Sequence, residues 1–224
     1  MKVLLIPGMD GTGKLFSPLL DELPNGLDTQ VVCLNDLITQ NPIEQALEIA
    51  SLIGSEEVII LSESYSGYIA YHLSLLPNLN IKHVIFAASF LENPTWLSRL
   101  NKLLPLNLVR SDVIPDIALS SVLFAQRNNK KLVNLFSSSL KLINNSTLRH
   151  RLKVIANLVR PSDSLSVPCT YVQASNDYLV SNKSVDVFKE LCININVVKA
   201  NGGHFIVQSN PQYFSKLVQG VIAL

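Results

Sequence analysis

Three residues far apart in the chain carry side chains that together can cleave an acyl bond: Ser64, Asp177 and His204. A serine hydroxyl is a poor nucleophile, so it needs a base within hydrogen-bond reach. An imidazole can accept that proton near neutral pH, and a carboxylate can fix the imidazole tautomer and stabilise the imidazolium. We therefore predict a hydrolytic site with Ser64 as nucleophile, His204 as base and Asp177 as orienting acid.

The sequence around Ser64 predicts a sharp turn between a strand and a helix. The apolar run 58–61 has the pattern of a buried parallel strand, and a helical pattern begins at Tyr65. This arrangement is typical of a nucleophile elbow, usually written G-x-S-x-G, which exposes the serine hydroxyl at the carboxyl end of the strand. The two glycine positions hold Ser62 and Ser66, whose side chains are still small.

Asp177 and His204 lie at equivalent places in the chain. Asp177 follows a strand pattern at 167–174, and His204 follows another at 195–199. The carboxyl ends of parallel strands share one edge of a sheet, and this edge is where sites form. We therefore expect the three side chains to meet there, although they are distant in sequence.

Strand and helix patterns alternate through both ends of the chain. This alternation predicts an α/β fold with about six mostly parallel strands and helices on both faces of the sheet. The predicted strands are 3–6, 30–34, 58–61, 83–87, 167–174 and 195–199, and the predicted helices are 14–23, 42–53, 65–76, 182–191 and 211–222.

The middle of the chain has a different pattern. From about 91 to 159 no segment predicts a strand, and the segment is too long for one crossover helix. We predict one domain over 1–224, with a core at 1–90 and 160–224 and a helical cap at about 91–159. The predicted cap helices are 95–104, 116–126, 130–143 and 147–158.

An acyl-transfer site also needs donors for the oxyanion that develops on the substrate. One expected donor is the backbone N–H of Tyr65, the residue after the nucleophile. The other is expected in the glycine-rich loop after the first strand, at the N–H of Met9. Asp10 of this loop is predicted to hold the turn through side-chain bonds to the backbone, with substrate contact as the alternative.

Four motifs resemble those of the α/β-hydrolase family over nearly the whole chain. The loop 7–13 resembles a P-G-x-D-G-T-G oxyanion loop, and 62–67 is similar to G-E-S-F-G-G. The segment 176–180 resembles a D-x-x-V acid loop, and 203–211 a G-H-F-x-x-Q-x-x-P ending. The branch with these motifs includes bacterial hydrolases and plastid phytyl ester synthases, and its first hairpin is expected to be missing here. The resemblance implies the same triad and oxyanion donors: Ser64, Asp177, His204, Met9 and Tyr65.

Several residues have alternative interpretations. Glu92, which follows the strand before the middle segment, is a second candidate for the acid, and Ser62 and Ser66 are alternative nucleophiles. His204 could be a structural histidine beside a glycine turn. The glycines at 8–13 suggest a dinucleotide loop only weakly, because they lack the spacing G-x-G-x-x-G.

Composition limits the classes of partner. The net charge of +1 gives no electrostatic case for nucleic acid, and no apolar run reaches the roughly 18 residues of a membrane helix. The short basic runs 130–131 and 149–151 are predicted to be solvated helix faces. Three cysteines without metal spacing are expected to be free thiols, which is typical of a cytoplasmic protein.

These observations predict a serine hydrolase of a small-molecule carboxylic ester or related acyl bond, working through an acyl-serine intermediate. No cofactor or metal is expected, and no stable membrane insertion. An acyltransferase with an alcohol acceptor would use the same triad. A non-catalytic binding protein on the same scaffold is the other alternative, because the elbow glycines are replaced.

Overall fold

The computed structural model describes residues 1–94, 115–126 and 129–223, and these contain one six-stranded sheet. Its strands are β1 Lys2–Ile6, β2 Thr29–Val31, β3 Glu57–Glu63, β4 Asn80–Ala87, β5 Cys169–Ala174 and β6 Ile195–Ala200. The spatial order is β2-β1-β3-β4-β5-β6, and every neighbouring pair is parallel. The prediction of about six mostly parallel strands is confirmed. The carboxyl ends of all six strands therefore face one edge.

Strand β2 lies at one edge of the sheet and is shorter than the predicted segment 30–34. After Val31 the amide of Val32 still donates to the Leu5 carbonyl oxygen at 2.9 Å. The amide of Leu34 instead donates to the Gly11 carbonyl oxygen at 2.8 Å. The chain leaves the sheet at this point because its backbone groups bond to the loop that follows β1.

The described helices surround the sheet, with bounds close to those predicted except near the N-terminus. There a 3₁₀ turn at Lys14–Phe16 and a single α-helical turn replace the predicted helix 14–23, and the chain continues in turns in which the Glu22 and Leu23 amides both donate to the Leu19 carbonyl oxygen. The helices are α1 Ser17–Leu20, α2 Pro42–Ile53, α3 Ser66–Leu75, α4 Asp116–Phe124, α5 Lys130–Leu142, α6 Asn145–Ala156, α7 Lys183–Leu191, α8 Ile206–Ser209 and α9 Pro211–Ile222.

Helices cover both faces of the sheet, as predicted. On one face Ile60 of β3 belongs to the same buried cluster as Ile69 of α3 and Phe188 of α7. The next residue, Leu61, points the other way and shares a second cluster with Phe214 of α9. Because both faces are buried, β3 is apolar at successive positions rather than at alternate ones. This double packing fixes the edge at which the site is built.

Helices α4, α5 and α6 form a third apolar cluster of their own with Leu15. Their cluster includes Leu123 of α4, Phe136 of α5 and Leu148 of α6, all buried. The described parts of 91–159 contain no strand, in agreement with the predicted helical pattern. The predicted helix 95–104 lies outside the described residues, and the division into core and cap remains a prediction.

Two further properties of the chain bear on its class. None of the helices given above combines the length and apolar character needed to cross a membrane. The cysteines Cys33, Cys169 and Cys192 are free thiols, as predicted.

Candidate active site

The turn after β3 has the backbone geometry of a nucleophile elbow. Ser64 follows the last residue of β3 and has a φ of +56°. A non-glycine residue adopts this conformation at a cost of about 1–3 kcal/mol and keeps it only where its surroundings hold it. Here the Ser64 amide donates to the Ala87 carbonyl oxygen at 2.9 Å, and the Gly67 amide donates to the Ser64 carbonyl oxygen at 3.0 Å. The reversal therefore directs the Ser64 side chain away from the strand, at the start of α3.

The serines at the two usual glycine positions fit this turn. The Ser66 hydroxyl donates to the Ile6 carbonyl oxygen at 2.7 Å and accepts from the Glu63 amide at 3.0 Å, which joins β1 to the elbow. Ser62 lies inside the sheet, and its hydroxyl is 3.4 Å from the Ile85 carbonyl oxygen. Both serines are fully buried, so neither is accessible as an alternative nucleophile.

The close approach that demands a glycine occurs one residue later than the G-x-S-x-G pattern places it. A Cβ atom added to Gly67 would lie 2.4 Å from the Cβ atom of Ser89. This distance is too short for two carbon atoms, so α3 can pack against the end of β4 only with glycine at this position. The replaced glycines at 62 and 66 are therefore no evidence of a defective elbow.

The three side chains predicted to do chemistry form one continuous line of hydrogen bonds. His204 Nε2 lies 2.7 Å from the Ser64 hydroxyl oxygen, and His204 Nδ1 lies 2.9 Å from Asp177 Oδ2. Because an ionised carboxylate can only accept, the proton of the neutral imidazole belongs on Nδ1, and Nε2 is left to accept from Ser64. The fold thus brings together residues that are up to 140 positions apart.

Asp177 is held in place by its own loop. Its Oδ1 accepts from the amides of Leu179 at 2.7 Å and Val180 at 2.9 Å, which leaves Oδ2 for His204. Glu92, the alternative acid, lies instead near Arg160, whose pKa is raised chiefly by its hydrogen bond to Glu190 and to a smaller extent by the charge of Glu92. The carboxylate that orients His204 in this structure is therefore Asp177.

The electrostatic surroundings of His204 raise its pKa. Burial acts to lower the pKa of His204, but the charge and hydrogen bond of Asp177, with the charge of Glu63, outweigh that effect and raise the pKa above 6.5. A base with a raised pKa holds a proton strongly once it has accepted one, which fits the predicted role of His204.

Glu63 is a site residue that the sequence analysis missed. It immediately precedes Ser64, is only 1% exposed and accepts from Gln208 Nε2 at 2.9 Å. Burial raises the pKa of Glu63 to about 7. The sequence did contain a signal for Glu63, because it is a carboxylate at the end of an otherwise apolar strand. Charged residues are rarely buried unless they are paired or functional.

The backbone N–H groups of Met9 and Tyr65, which are predicted to form an oxyanion hole, have no hydrogen-bond acceptor among the described residues. Neither the Met9 nor the Tyr65 amide donates to any acceptor there. Asp10 holds the loop that carries Met9: its Oδ2 accepts from the Thr12 amide at 3.2 Å and from the Thr12 hydroxyl at 2.6 Å. These bonds agree with the predicted turn role of Asp10.

A mostly apolar cavity of about 60 Å³ opens beside Ser64 and His204. Its described walls come from helices α5 and α6 and from segments that follow the strands β1, β4, β5 and β6, and they include Met9, Leu15, Phe90, Phe136, Leu140, Ile155, Leu179, Val180 and Phe205. Asp10 and Glu63 also line it. No group of three or more His, Cys, Asp or Glu side chains suited to a metal ion occurs among the described residues.

One prediction from the basic runs is wrong. The segment 149–151 was predicted to be a solvated helix face, and Arg149 and His150 are indeed exposed. Arg151 is instead completely buried against the loop that follows β1. A run of like charges gives no information about which of its members turns inward, and the helix face that does so is decided by packing.

Solved structures with this fold cover nearly the whole chain. A hydrolase from Oleispira antarctica matches with a TM-score of 0.78 and 14% identity, over 99% of this chain and 90% of that one. An alpha/beta hydrolase enzyme from a Medee basin deep-sea metagenome library has a TM-score of 0.73 and 17% identity, over 100% and 89%. A thermophilic esterase from Thermogutta terrifontis has a TM-score of 0.75 and 14% identity, over 100% and 89%.

These comparisons establish the α/β-hydrolase fold for this chain, in agreement with the prediction from its motifs. No protein-family model matches the sequence, and no curated protein matches it. The narrower resemblance, to the branch with a P-G-x-D-G-T-G loop, remains a prediction.

Proposed function

We propose that this chain, an α/β-hydrolase by fold, is a serine hydrolase that cleaves a carboxylic ester or related acyl bond through an acyl-serine intermediate. The observation that carries the proposal is the unbroken line from the Ser64 hydroxyl through His204 to Asp177, with separations of 2.7 and 2.9 Å. An esterase is among the structural neighbours, and we extend that activity to this chain.

The proposed reaction begins with the Ser64 oxygen attacking the carbonyl carbon of the ester while His204 Nε2 takes the hydroxyl proton. The tetrahedral intermediate collapses when imidazolium returns that proton to the leaving alkoxide, so an alcohol departs and an acyl-serine remains. Water then attacks the acyl group with His204 again as base, and the second collapse releases the carboxylic acid and restores the Ser64 hydroxyl. Asp177 stays ionised and stabilises the imidazolium in both halves.

The amides of Met9 and Tyr65 are the proposed oxyanion donors. Each lacks an acceptor among the described residues, and each belongs to a loop at the carboxyl edge of the sheet. Donors that are already oriented gain strength in a site from which water is largely excluded. Removing one such donor typically costs about 3–4 kcal/mol of transition-state stabilisation.

The size of the cavity beside Ser64 favours a substrate with a short acyl group. A volume of about 60 Å³ corresponds to on the order of five water molecules, and therefore to an acyl chain of only a few carbons. Its mostly apolar walls favour a hydrocarbon chain over a charged one.

The test is a series of acyl esters of increasing chain length, assayed with wild type and Ser64→Ala. We expect kcat of the variant to fall by on the order of a thousandfold or more on the best ester. Ser51→Ala is the matched control, because Ser51 is an exposed serine on α2. A Ser64→Ala enzyme that keeps most of the rate would refute the mechanism.

A fluorophosphonate probe gives an independent readout, because it reacts with activated serines. Wild type and Ser51→Ala are expected to label equally, and Ser64→Ala not at all. Absence of labelling in wild type would favour a binding protein on the hydrolase scaffold. Product analysis with added alcohol separates hydrolysis from acyl transfer, since a transferase forms a new ester in place of the acid.

A further inference from the structure

Arg151 of α6 is a buried cation without an acidic partner at hydrogen-bond distance. Its side chain is 0% exposed, and none of the ion pairs among the described residues includes it. Moving a cation out of water costs several kcal/mol unless hydrogen bonds compensate. A guanidinium at such a position therefore points to a specific set of acceptors.

The acceptors of Arg151 lie in the loops after β1 and β2. Nη1 donates to the Met9 carbonyl oxygen at 3.0 Å, and Nη2 donates to the Leu34 carbonyl oxygen at 3.2 Å. Nη2 also lies 3.1 Å from Gln40 Oε1, to which it donates. One planar group therefore ties α6 to the residue whose amide is the proposed oxyanion donor.

The loop around Met9 is shaped to receive the guanidinium. Gly11 has a φ of +67°, and a Cβ atom added to it would lie 2.1 Å from Arg151 Nη1. The Gly11 carbonyl oxygen accepts a hydrogen bond from the Leu34 amide, and the Leu34 carbonyl oxygen is itself an acceptor of Arg151. Glycine at this position allows the backbone to turn and leaves space for Arg151.

A second contact connects the same loop to α5. The Ser139 hydroxyl donates to Asp10 Oδ2 at 2.6 Å, beside the bonds that Asp10 accepts from Thr12. Asp10 directly follows Met9, so the peptide units around Met9 are held on one side by Arg151 and on the other by Ser139. The two contacts come from different helices, α6 and α5.

We propose that Arg151 is a positioning residue for the oxyanion hole, which holds the Met9 carbonyl oxygen so that the Met9 amide points at the oxyanion of the substrate. The inference rests on the serine-hydrolase function proposed above. Under this proposal α6, which carries Arg151, contributes to the chemical step as well as to the wall of the substrate cavity. Arg151 touches neither substrate nor the reacting atoms and acts only through Met9.

The test compares Arg151→Met and Arg151→Lys with Arg149→Met, the matched control at an exposed arginine of the same helix. We expect kcat of Arg151→Met to fall by about 10- to 100-fold with KM nearly unchanged, because the lost interaction matters most in the transition state. Arg151→Lys is expected to recover part of the rate, since an ammonium can reach one carbonyl oxygen but cannot bridge two loops. Arg149→Met is expected to match wild type.

The decisive readout is the ratio of rates for an ester and its thionoester, in which sulfur replaces the carbonyl oxygen. Sulfur is a weak hydrogen-bond acceptor, so an intact oxyanion hole favours the oxygen substrate. Arg151→Met is expected to lower this ratio several-fold, whereas a purely structural loss slows both substrates equally. An unchanged ratio in Arg151→Met would overturn the proposal.

Ser139→Ala keeps the proposal testable if Arg151→Met fails to fold. Ser139→Ala and Arg151→Lys are each expected to lower the oxygen-to-sulfur ratio, and wild-type ratios in both would overturn the positioning role. Failure of the proposed function looks different, since Ser64→Ala would then retain the wild-type rate. A reaction that depends on Ser64 but has an unaltered ratio in the Arg151 and Ser139 variants would remove only the positioning role.

Discussion

Replacing Glu63 by glutamine is expected to stabilise the protein at high pH and to have little effect at low pH. The Glu63 carboxyl is enclosed beneath His204, with one oxygen bonded to Gln208 Nε2. Its other oxygen, Oε1, has no hydrogen-bond partner in the described part of the chain. Burial of the carboxylate raises its pKa from 4.5 to about 7, with the hydrogen bond from Gln208 and the charge of His204 opposing the effect only in part.

The sign and size of the effect follow from proton linkage. A carboxyl whose pKa is higher in the folded state binds its proton more tightly there than in the unfolded chain. Its contribution to stability is therefore fully present below the unfolded pKa of 4.5 and is lost as the pH rises through about 7. A pKa difference of this size corresponds to about 3 kcal/mol of unfolding free energy.

Glutamine has nearly the same shape as glutamate but does not ionise, so Glu63→Gln removes this penalty. Denaturant unfolding of wild type and variant at pH 5 and pH 9 measures the effect. Part of the contribution is already lost at pH 5, so we expect the advantage of the variant to be about 2.5 kcal/mol greater at pH 9 than at pH 5. Glu57→Gln is the control, since Glu57 lies at the other end of β3 and pairs with Lys82 at the surface.

The difference in stability between variant and wild type must be compared at the two pH values, because the effects of the amide on packing or hydrogen bonding are the same at both. Only the ionisation of Glu63 makes that difference depend on pH. An equal change in stability at pH 5 and pH 9 would show that Glu63 does not titrate in this range. A similar pH-dependent gain in Glu57→Gln would show that the effect is general and is not a property of the buried site.

Three other outcomes are expected. Asp177→Asn should lower kcat by about 10⁴-fold. Losing the Asp177 charge lowers the pKa of His204, so any residual rate should persist to lower pH. A pH–rate profile of the variant measures both effects. Gly67→Ala should destabilise the fold by about 1–3 kcal/mol through its contact with Ser89, and Ser89→Gly in the same chain should recover part of the loss in a denaturant titration. Phe136→Ala enlarges the cavity and should move the preferred ester to longer acyl chains in a chain-length series; an unchanged preference would place the acyl group elsewhere.

The alternation of patterns was sufficient to predict the fold. Parallel strands covered on both faces are apolar at successive positions, and this makes segments such as 58–61 recognisable without a structure. The helix at 42–53 was predicted with the bounds that the structure has, because its apolar residues have helical spacing and Pro42 suits its first turn. The strand β2 was predicted less well, since its end depends on a bond from the Leu34 amide to the Gly11 carbonyl oxygen in the loop after β1.

The candidate triad could be predicted because each member lies in the segment that follows a strand. Parallel strands deliver their carboxyl ends to one edge, so Ser64, Asp177 and His204 were expected to meet on topological grounds. Their separations of 2.7 and 2.9 Å depend on loop conformations that periodicity does not describe. The same limit applies to Ser66, whose bond to the Ile6 carbonyl oxygen explains why serine fits at a glycine position.

The sequence by itself determined the elements of this protein and the edge of the sheet to which its chemical groups are brought, because hydrophobic periodicity and turn residues are local properties. The tertiary structure alone decided which polar groups are deprived of water. The sequence does not show how deeply Arg151 and Glu63 are buried. The packing of distant segments brings Arg151 to the Met9 carbonyl oxygen and raises the pKa of Glu63 to about 7. Burial of a charge depends on every element that surrounds it, and so it follows from the whole fold.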